Sequence, residues 1–516
     1  MKTLKIISAE SFISDEEYAK QNVRNVAHNL YPLLLKTCYL HEKVEIIYGL
    51  VENWPLSDFN FGNLLGKTAD IPEDISHWTC HRSLSACLNG LKNYVLNCNT
   101  TYTKRLKVVD TTALKDVEYQ PCKCKQTLGK WARTELLAKL CFDLLVEMQQ
   151  LNFDPSVFGV EIEVFANLFV TQRNYELVVQ ALLMKRHCPL KLRCVGFRAD
   201  SLSLRNLFYI LKLSEPTSIH RLEMVHNIRL QLEHLEVLLT NVTFPQLISL
   251  TLPAQTFNVN RYTAEDEEVL CSIGEKLSNM THLTELSLSF STLTGRVRKL
   301  LSPLKTPLKI LEVANCSLNY ADMAYLANSL HAEHFVLLDL SGHSVTDLFP
   351  STFFKLLTKA SRTLKTLVLE ECDMGDTHVN MLTVGLTPCR KLQEFKFLGN
   401  PMTSRGLKRI FRSFADLPML KYIEFPVPRD CYPDDVTYPL DDSNLVKFDR
   451  QKYQEVKEVL HMILLQAHRE DIVAVTPLFG SYDPEIQETG NELGKCLLES
   501  FKGTLENFSE ALKKLN

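Results

Sequence analysis

The sequence predicts an α/β solenoid, in which short parallel strands stack as a ladder on the concave side and helices return the chain behind them. Three observations carry this expectation. Segments beginning at Leu283, Leu308, Phe335, Leu364 and Leu392 share one spacing, apolar-x-x-apolar-x-apolar-x-x-[Asn/Cys/Ser/His]-x-apolar. Their starts lie 25, 27, 29 and 28 residues apart, a period that accommodates one strand and one helix. Between them run stretches with helical periodicity, such as Ala321–Leu330, with Met323, Leu326, Ala327 and Leu330 on one face.

Each element follows from this spacing, which is that of a leucine-rich repeat. In the segment from Leu308, the side chains of Leu311 and Val313 are two apart and point to one side of a strand. The turn after the strand carries Cys316, Cys372 or Asn400, small polar or thiol groups suited to backbone atoms that the bend leaves unpaired. No single unit can bury its own apolar face, but stacked neighbours bury it jointly.

Toward the N-terminus the pattern continues at Leu247 (Leu250, Leu252, Phe257, with Gln255 as the polar place) and Ile219 (Leu222, Met224, Asn227). It is degenerate at Leu190 and Leu106. The 36 residues between Leu247 and Leu283 imply an insertion, assigned to a polar surface loop over Asn258–Glu268. Leu420 opens one further strand, after which Pro426 and Pro428 halt the pattern.

Terminal repeats need caps. Tyr31–Pro55 places Leu34, Leu35, Cys38, Ile46, Ile47, Leu50 and Val51 at helical intervals, with Pro32 in a first turn and Pro55 ending the run. Amphipathic helices are expected from Tyr453 to Asp471 and from Glu485 to Leu515, with a short strand at Ile472–Val475 between them. The expected organisation is a helical N-terminal cap over residues 1–100, repeats over 101–428 and a mostly helical C-terminal cap over 429–516.

Composition narrows the function. A net charge of −4 argues against a nucleic-acid footprint, which wants a basic stripe. No run of 18 apolar residues suggests a membrane span, and the N-terminal apolar stretch is too short for an export signal. The 15 cysteines then read as reduced thiols of a cytoplasmic protein.

The chemical motifs are near misses. Gly62 to Thr68 ends in Gly-Lys-Thr like a phosphate loop, but its first glycine is one residue too close, and no obvious strand feeds it. His41 to Glu45 has Glu45 where a zinc-protease helix needs its second histidine. Cys122 and Cys124, near His77, Cys80, Cys98 and Cys141, supply one close pair where a structural zinc needs four ligands. No catalytic set, cofactor or metal is expected.

The concave face is the expected binding surface. One column of outward strand positions reads Glu223, Thr251, Ser287, Glu312, Asp339, Val368 and Lys396. A second reads Val225, Ser289, Ala314, Ser341, Glu370 and Leu398, with Phe290, Asn315 and Glu371 beside it. Acidic residues outnumber basic ones, which favours a protein partner with a basic face.

Long segments of the chain, including NLYPLLLKTCYL, ELSLSFSTLTG, EVANCSLN, DLSGHSVTDLFPSTFFKLL, FKFLGNPMT and IEFPVPRDCYP, closely resemble the leucine-rich repeat 14 branch of the family named after preferentially expressed antigen in melanoma (PRAME). The resemblance spans nearly the whole chain and implies a non-enzymatic role. Several members resemble substrate receptors of cullin-2 RING ubiquitin ligases. Their cullin-2 box pattern falls on Tyr31, Pro32, Leu34, Leu35 and Tyr39, and their elongin B/C box on Tyr18, Asn22 and Val26, the first two departing from the Leu and the small residue wanted there. A sister branch resembles regulators that bind a kinase complex and restrain NF-κB-type signalling, a role that needs the repeats but not the boxes.

Overall fold

The computed structural model describes residues 3–76, 80–97, 104–114, 130–151, 160–225, 227–258, 262–345, 350–441 and 444–477, with residues 130 and 131 described by backbone alone. Two compact units divide these residues, one within 1–197 and the other spanning 198–477.

The first unit opens with four helices: α1 (Leu4–Ser14), α2 (Glu16–Asn22), α3 (Tyr31–Leu40) and α4 (Val44–Glu52). Asp15 caps α2 by accepting the Tyr18 amide at 3.0 Å, and Pro32 occupies the first turn of α3, where its missing N–H costs nothing. Leu34, Leu35, Cys38, Ile46, Ile47, Leu50 and Val51 are all buried, as their spacing predicts. The two helices are separate, however, because the chain turns at Glu42 in a left-handed conformation. Then follow β1 (Asp58–Asn60), α5 (Phe61–Leu65), α6 (His81–Leu96), β2 (Val108–Asp110), α7 (Lys130–Gln150), β3 (Ile162–Thr171), α8 (Tyr175–Met184) and β4 (Leu190–Asp200), within which the unit boundary falls. The strands run parallel, with Phe59, Val109 and Val164 in register.

The degenerate repeats at Leu106 and Leu190 thus form β2 and β4. Two strands escape the repeat template. In β3, Ile162, Val164, Ala166 and Leu168 alternate inward as plain period-2 burial, and β1 lies inside the region expected to be wholly helical.

The second unit is the regular leucine-rich repeat solenoid. Its strands are β5 (Arg221–Val225), β6 (Ser249–Thr251), β7 (Glu285–Ser287), β8 (Ile310–Glu312), β9 (Leu337–Asp339), β10 (Thr366–Val368), β11 (Glu394–Lys396), β12 (Tyr422–Glu424) and β13 (Val473–Val475). They form a parallel ladder in chain order. Returning helices are α9 (Leu204–Leu213), α10 (Leu232–Asn241), α11 (Ala264–Ser278), α12 (Val297–Leu301), α13 (Tyr320–Asn328), α14 (Pro350–Ala360), α15 (Val379–Leu386), α16 (Ser404–Phe414) and α17 (Arg450–Gln466).

Leu250, Leu286, Leu311, Leu338, Leu367, Phe395 and Ile423 meet rung by rung and are buried, so the leucines stack as spacers. Removing any one of these side chains to Ala would cost about 2–5 kcal/mol. Strands in a ladder lie about 4.8 Å apart, whereas packed helices need about 8–10 Å, so such a stack bends with its strands on the inside.

After three of the strands the polar place does the work its chemistry suggests. Asn400, fully buried, accepts the amides of Cys372 (3.0 Å) and Met374 (2.9 Å) and donates to the carbonyl of Leu369 (2.8 Å). The Cys316 and Cys372 thiols donate to the carbonyls of Leu288 (3.2 Å) and Leu340 (3.5 Å). Just before them the backbone turns left-handed, at Phe290, Asn315, Gly342, Glu371 and Gly399. At Gly342 (φ +73°) a Cβ would fall 2.0 Å from Asn315 Oδ1, so any other residue would have to displace the Asn315 amide as well as adopt the left-handed backbone.

Three expectations fail locally. The insertion is only partly a loop, because Ala264–Glu268 begins α11, capped by Thr263 with Asp266 returning the bond. Leu330 lies beyond α13 and is exposed, and Asn227 is also exposed, donating to Ser201 Oγ instead of a turn carbonyl. Of the C-terminal cap, α17 and β13 form where expected; the helix expected from Glu485 lies outside the described residues.

Candidate functional site

The solvent face of the second unit's ladder carries its charged residues in columns fixed by strand register. Glu223, Thr251, Ser287, Glu312, Asp339, Val368 and Lys396 are partners in succession, and Glu424 and Val475 extend the column. A parallel column on the other side of the buried leucines holds Arg221, Ser249, Glu285, Ile310, Leu337, Thr366, Glu394 and Tyr422. Sequence reasoning missed this second set, although the same two-residue alternation exposes it.

The cations of this face sit toward its ends. Arg198 pairs with Glu223 at 3.2 Å, Arg221 with Glu285 at 3.7 Å, and Lys396 with Glu424 at 3.2 Å. Between them, no cation among the described residues forms a direct ion pair with Glu312, Asp339 or Glu370.

That leaves the middle of the face short of positive charge, and the titration of its carboxyls reflects it. Burial pushes Glu312 above the usual carboxylate range despite its hydrogen bond from Ser287, and Asp339, Glu223 and Glu285 add to the rise. Asp339 is likewise raised by burial, although Ser341 donates both its hydroxyl (2.6 Å) and its amide (2.9 Å). Glu370 is pushed up to about 7, first by burial and then by Glu424 and Asp339. Burial would lower the pKa of Lys396, but Glu424, Glu394 and Glu370 outweigh it and hold the ammonium charged.

Phe290 and Glu371 stand at the rim, both exposed and both with left-handed backbone. Phe290 is 59% exposed, while its amide is fixed to the Ala314 carbonyl at 2.7 Å. An arrangement of half-buried carboxylates, with serines and an exposed ring, suits it to hold a cationic macromolecular surface.

The residues of the cullin-box pattern lie elsewhere. Tyr31, Leu34, Leu35 and Tyr39 are buried in the packing of α3, and Pro32 is half-buried. The Tyr31 hydroxyl donates to the Val23 carbonyl at 3.0 Å, and its ring meets Trp54 edge-on at 5.9 Å. Of the elongin-box positions Tyr18 is 56% exposed, but α2 ends at Asn22 and Val26 is extended. The three therefore do not share one helical face, as residues four apart would on a continuous helix.

The near-miss motifs resolve into structure. A short strand, β1, does precede Gly62, but Gly66–Thr68 follows α5 instead of opening a helix. Carbonyls converge there, not amides: the buried Lys36 ammonium donates to Gly66 (2.5 Å), Ile71 (2.9 Å) and Glu73 (2.6 Å). A phosphate would need the reverse polarity. His41 to Glu45 straddles the break between α3 and α4. Cys80 and Cys141 are buried, whereas His77, Cys98, Cys122 and Cys124 lie outside the described residues. Among the described residues no group of three His, Cys, Asp or Glu could hold a metal ion, and no helix is long and apolar enough to cross a membrane.

Comparison with known proteins adds three findings. A family model described as the PRAME C-terminal domain matches residues 162–467. Leucine-rich repeat-containing protein 14 of Xenopus laevis is 31% identical over 504 residues, covering 93% of this chain and 98% of that protein. Its human counterpart is 29% identical over 493 residues, with the same coverage of both chains. Among solved structures, the leucine-rich repeat-containing protein LegL7 of Legionella pneumophila aligns with 58% of this chain and 90% of its own, at 14% identity and a TM-score of 0.35, too loose a likeness to argue from.

Proposed function

Since this chain belongs to the PRAME family, we propose that it is a non-enzymatic interaction scaffold of the cytoplasm, which holds a partner protein on the solvent face of its strand ladder. The observation that carries this reading is the trio Glu312, Asp339 and Glu370, partly buried carboxylates without a direct ion pair among the described residues. A fold tolerates such a cost where a bound partner relieves it.

Two finer readings extend the scaffold. In one, the chain is a substrate adaptor of a cullin-2 RING ubiquitin ligase acting in proteasomal degradation, with residues 1–100 as the docking module and the ladder selecting the target. Family resemblance supports it, through the match of Tyr31, Pro32, Leu34, Leu35 and Tyr39 to the cullin pattern. It requires α3 to expose side chains that it buries. In the other, the ladder occupies a signalling kinase complex and restrains NF-κB-type signalling. The burial of α3 and the break after Asn22 favour this second reading, which asks nothing of either.

Co-purification of the full chain from cells separates the two. Recovery of cullin-2 and elongin B/C, lost on Pro32→Ala, supports the adaptor. A partner retained by the ladder with no cullin-2 or elongin recovered, under conditions where an established receptor recovers both, overturns the adaptor and leaves the regulator.

A further inference from the structure

We infer that rungs β7–β10 dock a basic segment of a partner protein, one whose Lys or Arg side chains reach Glu312, Asp339 and Glu370 while a neighbouring apolar side chain packs on Phe290. This deepens the scaffold reading and rests on it.

Charge complementarity is the first support. Glu312 and Asp339 are register partners on adjacent rungs, about 4.8 Å apart, and like charges set directly across a ladder repel. Glu370 adds a third carboxylate, one rung beyond Asp339 and two residues along from Val368, its register partner. The cations of this face are engaged with other carboxylates, Arg221 with Glu285 and Lys396 with Glu424. A segment with two or more cationic side chains would meet these charges without displacing an existing pair.

The second support is the mixed character of the face. Ile310 and Leu337 flank Glu312 and Asp339, and both are half-exposed, so stems of Lys or Arg would find apolar surface beneath their charges.

Phe290 is the third. The other turns place glycine (Gly342, Gly399), Asn315 or the polar Gln255 and Glu371 in the same left-handed conformation, so Phe290 is the one apolar residue to adopt it among the described residues. Phe290 adopts φ +60° and is more than half exposed, so the fold gains little burial from the aromatic. An apolar anchor for a partner accounts for a bulky residue at that position.

The test uses the full chain and a fluorescein-labelled peptide that alternates Lys with Leu, measured by anisotropy at low and at physiological salt. Binding should weaken as salt rises. Combined Glu312→Gln, Asp339→Asn and Glu370→Gln should weaken it by about tenfold, with a melting temperature at or above that of the parent chain. Phe290→Gly should weaken it several-fold while raising the melting temperature, opposite signs that a purely structural role would not give. Equal loss in a control with the same charge change on the helical side (Glu265→Gln, Glu268→Gln and Glu275→Gln) would overturn the proposal, as would unchanged binding by the ladder variant. Cellular partners captured equally by parent and ladder variant would overturn the docking chemistry and leave the scaffold standing. Failure of the parent chain to capture any partner would remove both.

Discussion

Glu312 and Asp339 face one another across a single rung of the ladder, each partly withdrawn from water and neither in a direct ion pair among the described residues. Burial and mutual repulsion both favour the uncharged carboxyl, so this pair works against the fold at neutral pH.

Removing one charge should therefore help. Glu312→Gln keeps the shape and the contact with Ser287, and should raise stability by about 0.5–1 kcal/mol at pH 7.5, read by urea denaturation. A lower midpoint would show that the carboxylate is worth more to the fold than its repulsion costs.

Glu370 makes the pH dependence specific. Its carboxyl is held up to about 7 in the folded chain, above its ordinary 4.5. Between those values the folded state binds more protons than the unfolded, so stability from this group falls as pH rises through that window. Glu370→Gln should consequently leave stability unchanged near pH 4 and increase it by about 1–2 kcal/mol at pH 8, after allowing for partial exposure. Thermal melts of parent and variant across that range will show whether the difference grows with pH.

Asn400 should be among the costliest polar positions in the second unit. Its amide satisfies two backbone N–H groups and donates to the carbonyls of Leu369 and Phe397. Asn400→Ala leaves these buried groups unpaired and should destabilise by about 2–4 kcal/mol in chemical denaturation. Asn400→Asp keeps the acceptor but not the donor and should fall below the parent as well.

In the first unit, Lys36 ties the segment around Gly66–Glu73 to α3 through three carbonyls. Burial lowers its pKa, against the pull of Asp74 and Glu73. Lys36→Met should lose about 1–3 kcal/mol and speed proteolytic cleavage within residues 66–75, mapped by mass spectrometry.

Much of this architecture is legible in sequence because period-2 alternation fixes both sides of a strand at once. The places of Leu311, Leu338 and Leu367 inside, and of Glu312, Asp339 and Val368 outside, follow from that rule alone. What stayed hidden depends on partners distant in the chain. Tyr31, Leu34, Leu35 and Tyr39 carry a docking spacing, yet the same spacing is that of a packed amphipathic helix, and only their burial distinguishes the two. Lys36 reads as a solvent charge until the carbonyls some thirty residues on are seen to enclose it. The strand Ile162–Thr171 alternates openly, and a buried Asn174 closes the turn behind it, but its apolar residues do not keep the leucine spacing of the later repeats.

The bonds that three turn residues make between repeats run in one direction. Cys316 reaches back to Leu288, Cys372 to Leu340, and Asn400 to Leu369, Cys372 and Met374, each from a later repeat to the one before. The three repeats they reach thus each wear a stopper supplied by a later one. A chain clipped behind Met374 would leave two amides and a carbonyl uncorked, while one clipped ahead of Leu392 would carry its own plug away with it, so fraying of the stack should be easier from its C-terminal side.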